Sequence, residues 1–412
     1  MDALIFVVCV FLFTFTICLV AGIAFRWLLY PLLVGFSARI LFLFLDYFGL
    51  FSPPGAEGDA VNFTLYARRW SQGSWADVFS TFDYSASYLY SSIGAVFFKL
   101  VGFNELVLPS LNILAGVVGI LLVGKMAYDL WGKKASIISA YIMALFPFAI
   151  FNSVISLREE LSIVMFLMGT FLFLKWIAGR GSIWIFGAFG FFAVAIMIHP
   201  GWLGAMIGVA IYLGFFAAKT LYSGLRGGRT TRASASKMLS AIMLFSAALL
   251  IVAGSGGITL AKGITIGGED EGGTEDLIES RFQRDPRGGS AYPGFIATGN
   301  PYAQPWLIPA RVVYFVYSPF PWDLRSPRQL MGVAAALMYA FLSWRLYKGW
   351  HLVKRKEECI ALMCMTGALI FIFAIGVTNI GTAIRHRTKF LGILTLLAAS
   401  SFDKLKIRLR RH

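Results

Sequence analysis

The chain has 412 residues, of which 58% are hydrophobic and only 14% are charged. Its mean hydropathy of +0.73 exceeds that of soluble globular domains and predicts a polytopic membrane protein. The net charge of +15 does not indicate nucleic-acid binding, because the basic residues form short clusters between apolar runs, as residues facing an anionic membrane leaflet do. The four cysteines show no C-x-x-C spacing, which argues against a disulfide framework and a zinc site.

Many apolar runs are long enough to cross the hydrocarbon layer, which takes about 20 helical residues. Spans are predicted near residues 3–24, 27–48, 105–128, 135–151, 160–176, 181–198, 202–218, 238–260, 330–347, 359–377 and 388–402. The sequence therefore predicts an all-α polytopic membrane protein of about 11 transmembrane helices, in which residues 1–412 form a single transmembrane domain.

Basic residues in short loops predict how these helices are oriented. The acid-free basic segments 219–237, 345–356 and 404–411 are expected on the cytoplasmic side, which puts the N-terminus outside and the C-terminus inside. Two further apolar segments, Tyr84–Phe103 and Leu307–Trp322, are expected to lie along the outer membrane surface. Counting them as spans would move basic loops to the outside.

Two long external loops follow from this orientation. Residues 49–104 form the first, with interfacial helices and a candidate catalytic acid. Residues 261–329 form the second, which is expected to be partly mobile. No internal repeat is visible, and no segment is large enough to form a soluble domain with its own core.

Asp59 lies in a polar stretch of the first external loop, after the Pro- and Gly-rich residues 53–58. It could cap the helix predicted at 60–70, as carboxylates at helix starts commonly do. A carboxylate held in this way could also take the proton from a sugar hydroxyl that attacks an anomeric carbon. Tyr66 follows about two helical turns later on the same face, where it would contact a sugar or anchor the helix in the interface.

Two acids, Glu159 and Glu160, open the fifth predicted span. Ser156 and Glu159 have the S-x-x-E spacing of a capping box, and the helix dipole favours acids at this end. Both glutamates are also candidate catalytic residues. Neither capping nor the dipole explains Arg158, whose guanidinium group suits a carboxylate or a phosphate. We therefore predict that Arg158 binds phosphate.

The segment Asn379–Lys389 has the highest density of hydrogen-bond donors outside the cytoplasmic loops. A short turn between two helices needs Gly or Asn but no cations, so the basic residues call for an anion. Arg385, Arg387 and Lys389 are predicted to neutralise a leaving phosphate or diphosphate. Asn379 and His386 are candidates for contact with the sugar or the acceptor.

His199 ends the sixth predicted span and Trp322 ends the second interfacial segment. A single His at an interface is usually structural, but His199 could also contact substrate. Trp322 offers a flat face on which a sugar could stack, although aromatic residues commonly anchor a protein in the interface. Asp59, Glu160 and His199 could together hold a divalent metal, but nothing in their spacing demands one. No cofactor is therefore required.

Three of these motifs resemble the GT-C superfamily of polytopic glycosyltransferases. The likeness is to the bacterial enzymes similar to dolichyl-phosphate-mannose-protein mannosyltransferases and aminoarabinose lipid A transferases. Gly58-Asp59 with Tyr66-Ala67-Arg68 matches the first external loop of that superfamily. Arg158-Glu159-Glu160 begins a span after Ala144-Leu145-Phe146-Pro147, and Arg385-His386-Arg387 looks like its R-x-R element.

The resemblance implies a GT-C fold, a polyprenyl-linked sugar donor such as an undecaprenyl-phosphate sugar, and a location in the plasma membrane. It assigns the base to Asp59 and the phosphate contacts to Arg158, Arg385 and Arg387. Many relatives have Asp-Glu in the first loop, where this chain has Asp59-Ala60, and this difference weakens the expectation of a metal. Many also carry a soluble C-terminal domain, whose absence here favours a glycan or lipid acceptor over a protein.

The predicted orientation also restricts the donor. Nucleotide sugars are cytosolic, whereas the candidate residues are external, and no Rossmann domain is visible to bind a nucleotide. We therefore expect an inverting transferase for cell-envelope or exported polysaccharide, using a lipid phosphate or diphosphate donor. A polysaccharide polymerase or ligase is an alternative with nearly the same residue roles. A lipid-linked sugar flippase or transporter is an alternative from another class, and it predicts inverted repeats and charges inside the bundle.

Overall fold

The computed structural model describes residues 2–83, 88–226, 258–260, 264–266, 291–297, 304–324 and 329–404. Within these residues the chain is helical, apart from a short antiparallel hairpin of β1 (Ile258–Leu260) and β2 (Ile264–Ile266). Seven described helices are long and apolar enough to cross a membrane, or eight if one bent pair forms a single span. The prediction of an all-α polytopic membrane protein is confirmed. The count of eleven spans stays a prediction, and residues 238–257 of one predicted span lie outside the described part.

The helices follow the predicted apolar runs closely. In chain order they are α1 (Ala3–Ala24), α2 (Leu29–Tyr47), α3 (Asp59–Ser71), α4 (Trp75–Ser80), α5 (Leu89–Val101), α6 (Val107–Trp131), α7 (Lys133–Leu145), α8 (Pro147–Val154), α9 (Glu159–Ile177), α10 (Ile183–Ile198), α11 (Leu203–Leu225), α12 (Gly294–Ala297), α13 (Ile308–Tyr317), α14 (Leu330–Val353), α15 (Glu357–Gly376) and α16 (Ile380–Ala398).

The span predicted at 135–151 is broken into two helices. α7 and α8 meet at an angle of 53°, and Pro147 is the first residue of α8. Proline has no backbone N–H and its ring clashes with the preceding turn, so a helix cannot continue straight through it. The bend directs α8 and the residues after it towards the start of α9, where Arg158 and Glu159 lie.

The segment Tyr84–Phe103 contains α5, whose 13 residues are fewer than the number that a membrane-spanning helix needs. The Ser91 hydroxyl donates a hydrogen bond of 3.1 Å to the carbonyl of Phe63, which joins α5 to α3. On α6, the Asn112 amide donates bonds of 2.9 Å to the carbonyls of Ile155 and Leu157. These bonds hold α5 against α3, and the residues just before α9 against α6.

The last long helix, α16, lies at the centre of the bundle and contacts α6, α9 and α14. Its second half is buried and apolar from Phe390 to Ala398, apart from Thr395. Its first half carries the cations of the predicted phosphate site. Tyr292, from the predicted 261–329 loop, donates its backbone N–H to the carbonyl of Thr378 at 2.9 Å. The acidic part of that loop, 267–290, lies outside the described residues.

Candidate active site

The basic segment that was predicted as a turn is helical, because α16 already begins at Ile380. The Asn379 side-chain oxygen caps this helix by accepting hydrogen bonds from the N–H groups of Gly381 at 2.8 Å and Thr382 at 3.4 Å. Asn379 was predicted to contact a sugar, and this capping role accounts for its side chain. Residues Arg385–Lys389 therefore lie on the second and third turns of α16 and project in different directions.

Arg385 joins the two acidic motifs of the sequence. Its Nη1 donates to Asp59 Oδ2 at 2.7 Å, and its Nε donates to Glu159 Oε1 at 2.5 Å. The side chain of Glu159 is fully buried, whereas that of Asp59 is 59% exposed. Arg385 therefore already has two carboxylate partners, and the Asp59 carboxylate is held in place while it remains accessible to a substrate.

Asp59 is the first residue of α3 and does not act as its cap. The capping position is Gly58, which has a φ of 74° and makes no side-chain cap bond. The capping interpretation of Asp59 is therefore wrong. A left-handed backbone of this kind suits glycine, which has no Cβ. It turns the chain so that the Asp59 carboxylate meets Arg385 on α16.

Glu159 and Glu160 project in different directions from the start of α9, since successive helical residues are about 100° apart. Glu159 meets Arg385, whereas Glu160 lines a small internal cavity together with Arg39 and Thr388. Arg158 occupies the capping position of α9 and makes no side-chain cap bond, so the predicted capping box of Ser156 and Glu159 is wrong.

Arg158 lies close to the Asp59–Arg385–Glu159 group. Its Nη1 donates to the carbonyl of Ile198 at 3.3 Å, and its guanidinium lies 5.5 Å from the centre of the Phe63 ring. Burial lowers the pKa of Arg158, and the neighbouring Glu159 opposes that shift. The cation is therefore anchored by backbone and aromatic contacts beside the acids.

Two histidines complete this cluster. The rings of His199 and His386 are 5.6 Å apart, and one ligand-type atom from each lies within 4.8 Å of a Glu159 oxygen and of the other. His386 Nδ1 is 3.0 Å from the ammonium of Lys389. Burial, followed by the positive charges of Lys389 and Arg158, lowers the pKa of His199 well below its usual range. His199 is therefore neutral.

The metal set predicted as Asp59, Glu160 and His199 is not brought together, because Glu160 projects into the internal cavity. Among the described residues, the grouping with metal-ligand spacing is Glu159, His199 and His386. The Nζ of Lys389 lies beside this trio, 3.0 Å from His386 Nδ1. A positive charge there would oppose the binding of a metal ion by the trio.

Arg387 projects from the side of α16 away from Arg385, since residues two apart on a helix differ by about 200°. It is fully buried, and its Nη1 donates to the carbonyl of Val316 on α13 at 2.8 Å. Its guanidinium lies 5.5 Å from the Tyr339 ring on α14. The two arginines of the R-x-R element therefore occupy different surroundings, and a phosphate contact for Arg387 stays a prediction.

The two aromatic residues predicted to bind sugar contact other aromatic side chains. Tyr66 is partly exposed on the same helix as Asp59, with its ring 5.1 Å from that of Tyr88. Trp322 is 70% exposed, stacks on Phe320, and donates its Nε1–H to the Tyr314 hydroxyl at 3.0 Å. Their role in sugar binding stays a prediction.

One charged residue was missed. Arg39 lies in the middle of α2 and is 1% exposed, with its Nε donating to the Ser153 hydroxyl at 3.0 Å. The signal was present in the sequence, because a cation inside a membrane span is costly and usually has a partner in the bundle. Arg39 and Glu160 face the same cavity from α2 and α9.

The fold has counterparts among solved structures. The crystal structure of ArnT from Cupriavidus metallidurans bound to undecaprenyl phosphate matches with a TM-score of 0.51 and 14% identity, over 93% of this chain and 60% of that chain. AglB from Archaeoglobus fulgidus, an oligosaccharyltransferase in complex with an inhibitory peptide and a dolichol-phosphate, matches with a TM-score of 0.48 and 14% identity, over 92% and 50%. The apo oligosaccharyltransferase of Archaeoglobus fulgidus gives 0.48 and 16%, over 92% and 51%.

No protein-family model matches the sequence, and no curated protein matches it either. The chain spans about 60% of the length of the ArnT chain that it matches. At 14% identity this likeness establishes the fold, while the activity has to be inferred from the site. The chain therefore shares the fold of the ArnT structure, in agreement with the resemblance that its motifs predict.

Proposed function

We propose that this protein is an inverting membrane glycosyltransferase. It transfers a sugar or oligosaccharide from a polyprenyl-phosphate or -diphosphate donor to a glycan or lipid acceptor on the external face of the membrane. The observation that carries the proposal is the Asp59–Arg385–Glu159 arrangement, in which one exposed acid is held at 2.7 Å by a cation that a buried acid also binds.

Asp59 is the base in this proposal because its carboxylate is accessible. The acceptor hydroxyl gives its proton to Asp59 as its oxygen attacks the anomeric carbon, and the bond from that carbon to the lipid phosphate oxygen breaks on the opposite face. Glu159 cannot take this role, since its side chain is fully buried. Its carboxylate instead positions Arg385, and so Asp59.

The departing phosphate is stabilised by the positive charge around this acid. Arg158, Arg385 and Lys389 supply three cations against the carboxylates of Asp59 and Glu159, and Glu159 has all three cations among its charged neighbours. With Lys389 protonated, the three cations exceed the two carboxylates by about one positive charge, which favours an anion over another cation. Undecaprenyl phosphate, the ligand of the ArnT structure, has the chemistry of the lipid phosphate that such a donor would release.

Two alternatives remain to be separated by experiment. A polysaccharide polymerase or ligase would use the same residues but would accept diphosphate-linked oligosaccharides at both positions. A lipid-linked sugar flippase would move the donor without forming a bond. A flippase or transporter predicts charged residues inside the bundle, and Arg39 and Glu160 are buried there. The flippase alternative is therefore tested directly.

The test uses purified protein in nanodiscs with a panel of radiolabelled polyprenyl-phosphate sugars and lipid-linked glycan acceptors. Asp59→Asn is expected to lower the transfer rate at least about 100-fold, as loss of a general base does. Glu57→Gln is the matched control, because Glu57 is an exposed acid of the same loop, and it should transfer at the wild-type rate. A folded Asp59→Asn protein with full activity would show that the base is assigned wrongly. In proteoliposomes, movement of labelled sugar without a new glycosidic bond would favour the flippase.

A further inference from the structure

The hydrogen bonds around Glu159, His199 and His386 reveal which ring nitrogens carry protons. His199 Nδ1 accepts the backbone N–H of Gly201 at 3.1 Å. A neutral imidazole has one donor and one acceptor nitrogen, so the proton of His199 lies on Nε2. The Nε2 atom of His199 is therefore a hydrogen-bond donor and has no lone pair for a metal.

His386 is in the same state for a different reason. Its Nδ1 lies 3.0 Å from the Nζ of Lys389, and an ammonium group has only donors. With Lys389 protonated, the Nδ1 atom of His386 accepts from it, which puts the His386 proton on Nε2 as well. A metal-bound histidine usually donates its other ring N–H to a carboxylate, a carbonyl or a water, which is the reverse of both arrangements.

The charges around the trio also argue against a bound metal. Lys389 is 1% exposed, so a charge on its ammonium is poorly screened by water, and Glu159 has Lys389, Arg385 and Arg158 among its charged neighbours. One oxygen of Glu159 is bonded to Arg385, and the other, Oε2, is buried without a hydrogen-bond partner among the described residues. A divalent metal placed here would add two positive charges to three that are already buried or half-buried.

We propose that the ammonium of Lys389 supplies, beside the Glu159–His199–His386 trio, the positive charge that a divalent metal would otherwise bring, so that the trio does not bind a metal. The donor set does not fit a metal, although its spacing does. The inference concerns the cation of the site and is tested without measuring glycosyl transfer, so it can fail while the proposed function holds, and the reverse.

The experiment measures the protonation of the rings directly. The chain contains four histidines, so the 412-residue protein without an affinity tag can be labelled with ¹⁵N-histidine and studied in nanodiscs by NMR. His199→Gln and His386→Gln assign the two signals, and His351 at the exposed end of α14 serves as the internal reference. In the wild type, both rings are expected as Nε2–H tautomers, and one equivalent of Zn²⁺ should leave their shifts unchanged.

Substitution of Lys389 separates its role from that of the surrounding fold. Lys389→Met removes the donor to His386 Nδ1, so the His386 signals should move to a mixture of tautomers and become sensitive to Zn²⁺. Lys389→Arg keeps a buried cationic donor and should retain the wild-type tautomers. Unaltered His386 signals in Lys389→Met would overturn the proposal.

Zn²⁺-induced shifts of both rings in the wild type, lost in Glu159→Gln, would also overturn it. That titration needs no substitution of Lys389, so it decides the matter even where Lys389→Met does not fold.

Discussion

Arg385 makes two ion pairs that are expected to contribute very differently to the free energy of unfolding, and this difference can be measured. Its partner Glu159 is fully buried, whereas its partner Asp59 is 59% exposed. An exposed ion pair contributes about 1 kcal/mol or less, because water and salt screen it. Removing one partner of a buried pair costs about 3–5 kcal/mol, because an uncompensated charge remains in a poorly solvated place.

We therefore expect Arg385→Gln to lower the free energy of unfolding by about 3 kcal/mol, the lower end of that range, since Lys389 and Arg158 still lie near Glu159. Asp59→Asn should lower it by less than about 1 kcal/mol, while lowering the transfer rate at least about 100-fold. The double variant Arg385→Gln with Glu159→Gln should recover much of the loss, because the buried charge is removed together with its partner.

The assay is unfolding by SDS in mixed micelles, followed by tryptophan fluorescence. It compares the wild type, the single variants Arg385→Gln, Glu159→Gln and Asp59→Asn, and the Arg385/Glu159 and Arg385/Asp59 double variants. A coupling energy above about 1 kcal/mol between Arg385 and Glu159 is expected, together with a coupling below about 0.5 kcal/mol between Arg385 and Asp59. Equal coupling energies for the two pairs would refute the reasoning, because burial would then not decide the strength of either.

Other predictions follow from close packing and capping. Gly116→Ala should destabilise the protein by about 1–3 kcal/mol, because its Cβ would lie 2.7 Å from Arg39 Nε and 2.8 Å from Ser153 Oγ. Gly119→Ala on the same helix is the control, since its nearest neighbour atom would be 3.7 Å away, and it should be neutral or stabilising. Asn379→Ala should cost about 0.5–2 kcal/mol through loss of the cap of α16, whereas Asn379→Asp should keep most of the stability. Thermal unfolding followed by fluorescence measures the stability of all four variants. Equal losses of stability for the two glycine variants, or for the two Asn379 variants, would contradict the prediction.

The opposed faces of α16 suggest how the site is held rigid. Arg385 and Lys389 lie within one helical turn of each other and serve the charged cluster, whereas Arg387 is bonded to α13 at Val316. Side chains at positions i and i+4 share a face of a helix, and positions i and i+2 do not. The helix that carries the candidate phosphate contacts is thus fixed from its opposite face by a cation of its own.

The sequence by itself determined the helices and most of their positions. Runs of apolar residues specify membrane helices because every backbone group in the hydrocarbon layer must be bonded within the segment. The bounds of α1, α6, α9 and α15 accordingly agree with the predicted spans to within about four residues, as expected for helix ends. Pro147 also indicates the break between α7 and α8, although a single span was predicted at 135–151.

Only the tertiary structure decided how the charged residues combine. Asp59 and Arg385 are 326 positions apart, and no local pattern encodes a contact over such a distance. The motifs Arg158-Glu159-Glu160 and Arg385-His386-Arg387 were found as units, yet a helix directs neighbouring side chains to different faces. Glu159 and Arg385 therefore belong to one site, while Glu160 faces Arg39 and Arg387 faces Val316. Composition specifies which segments enter the membrane, and the packing of α3, α9 and α16 specifies which of their charges meet.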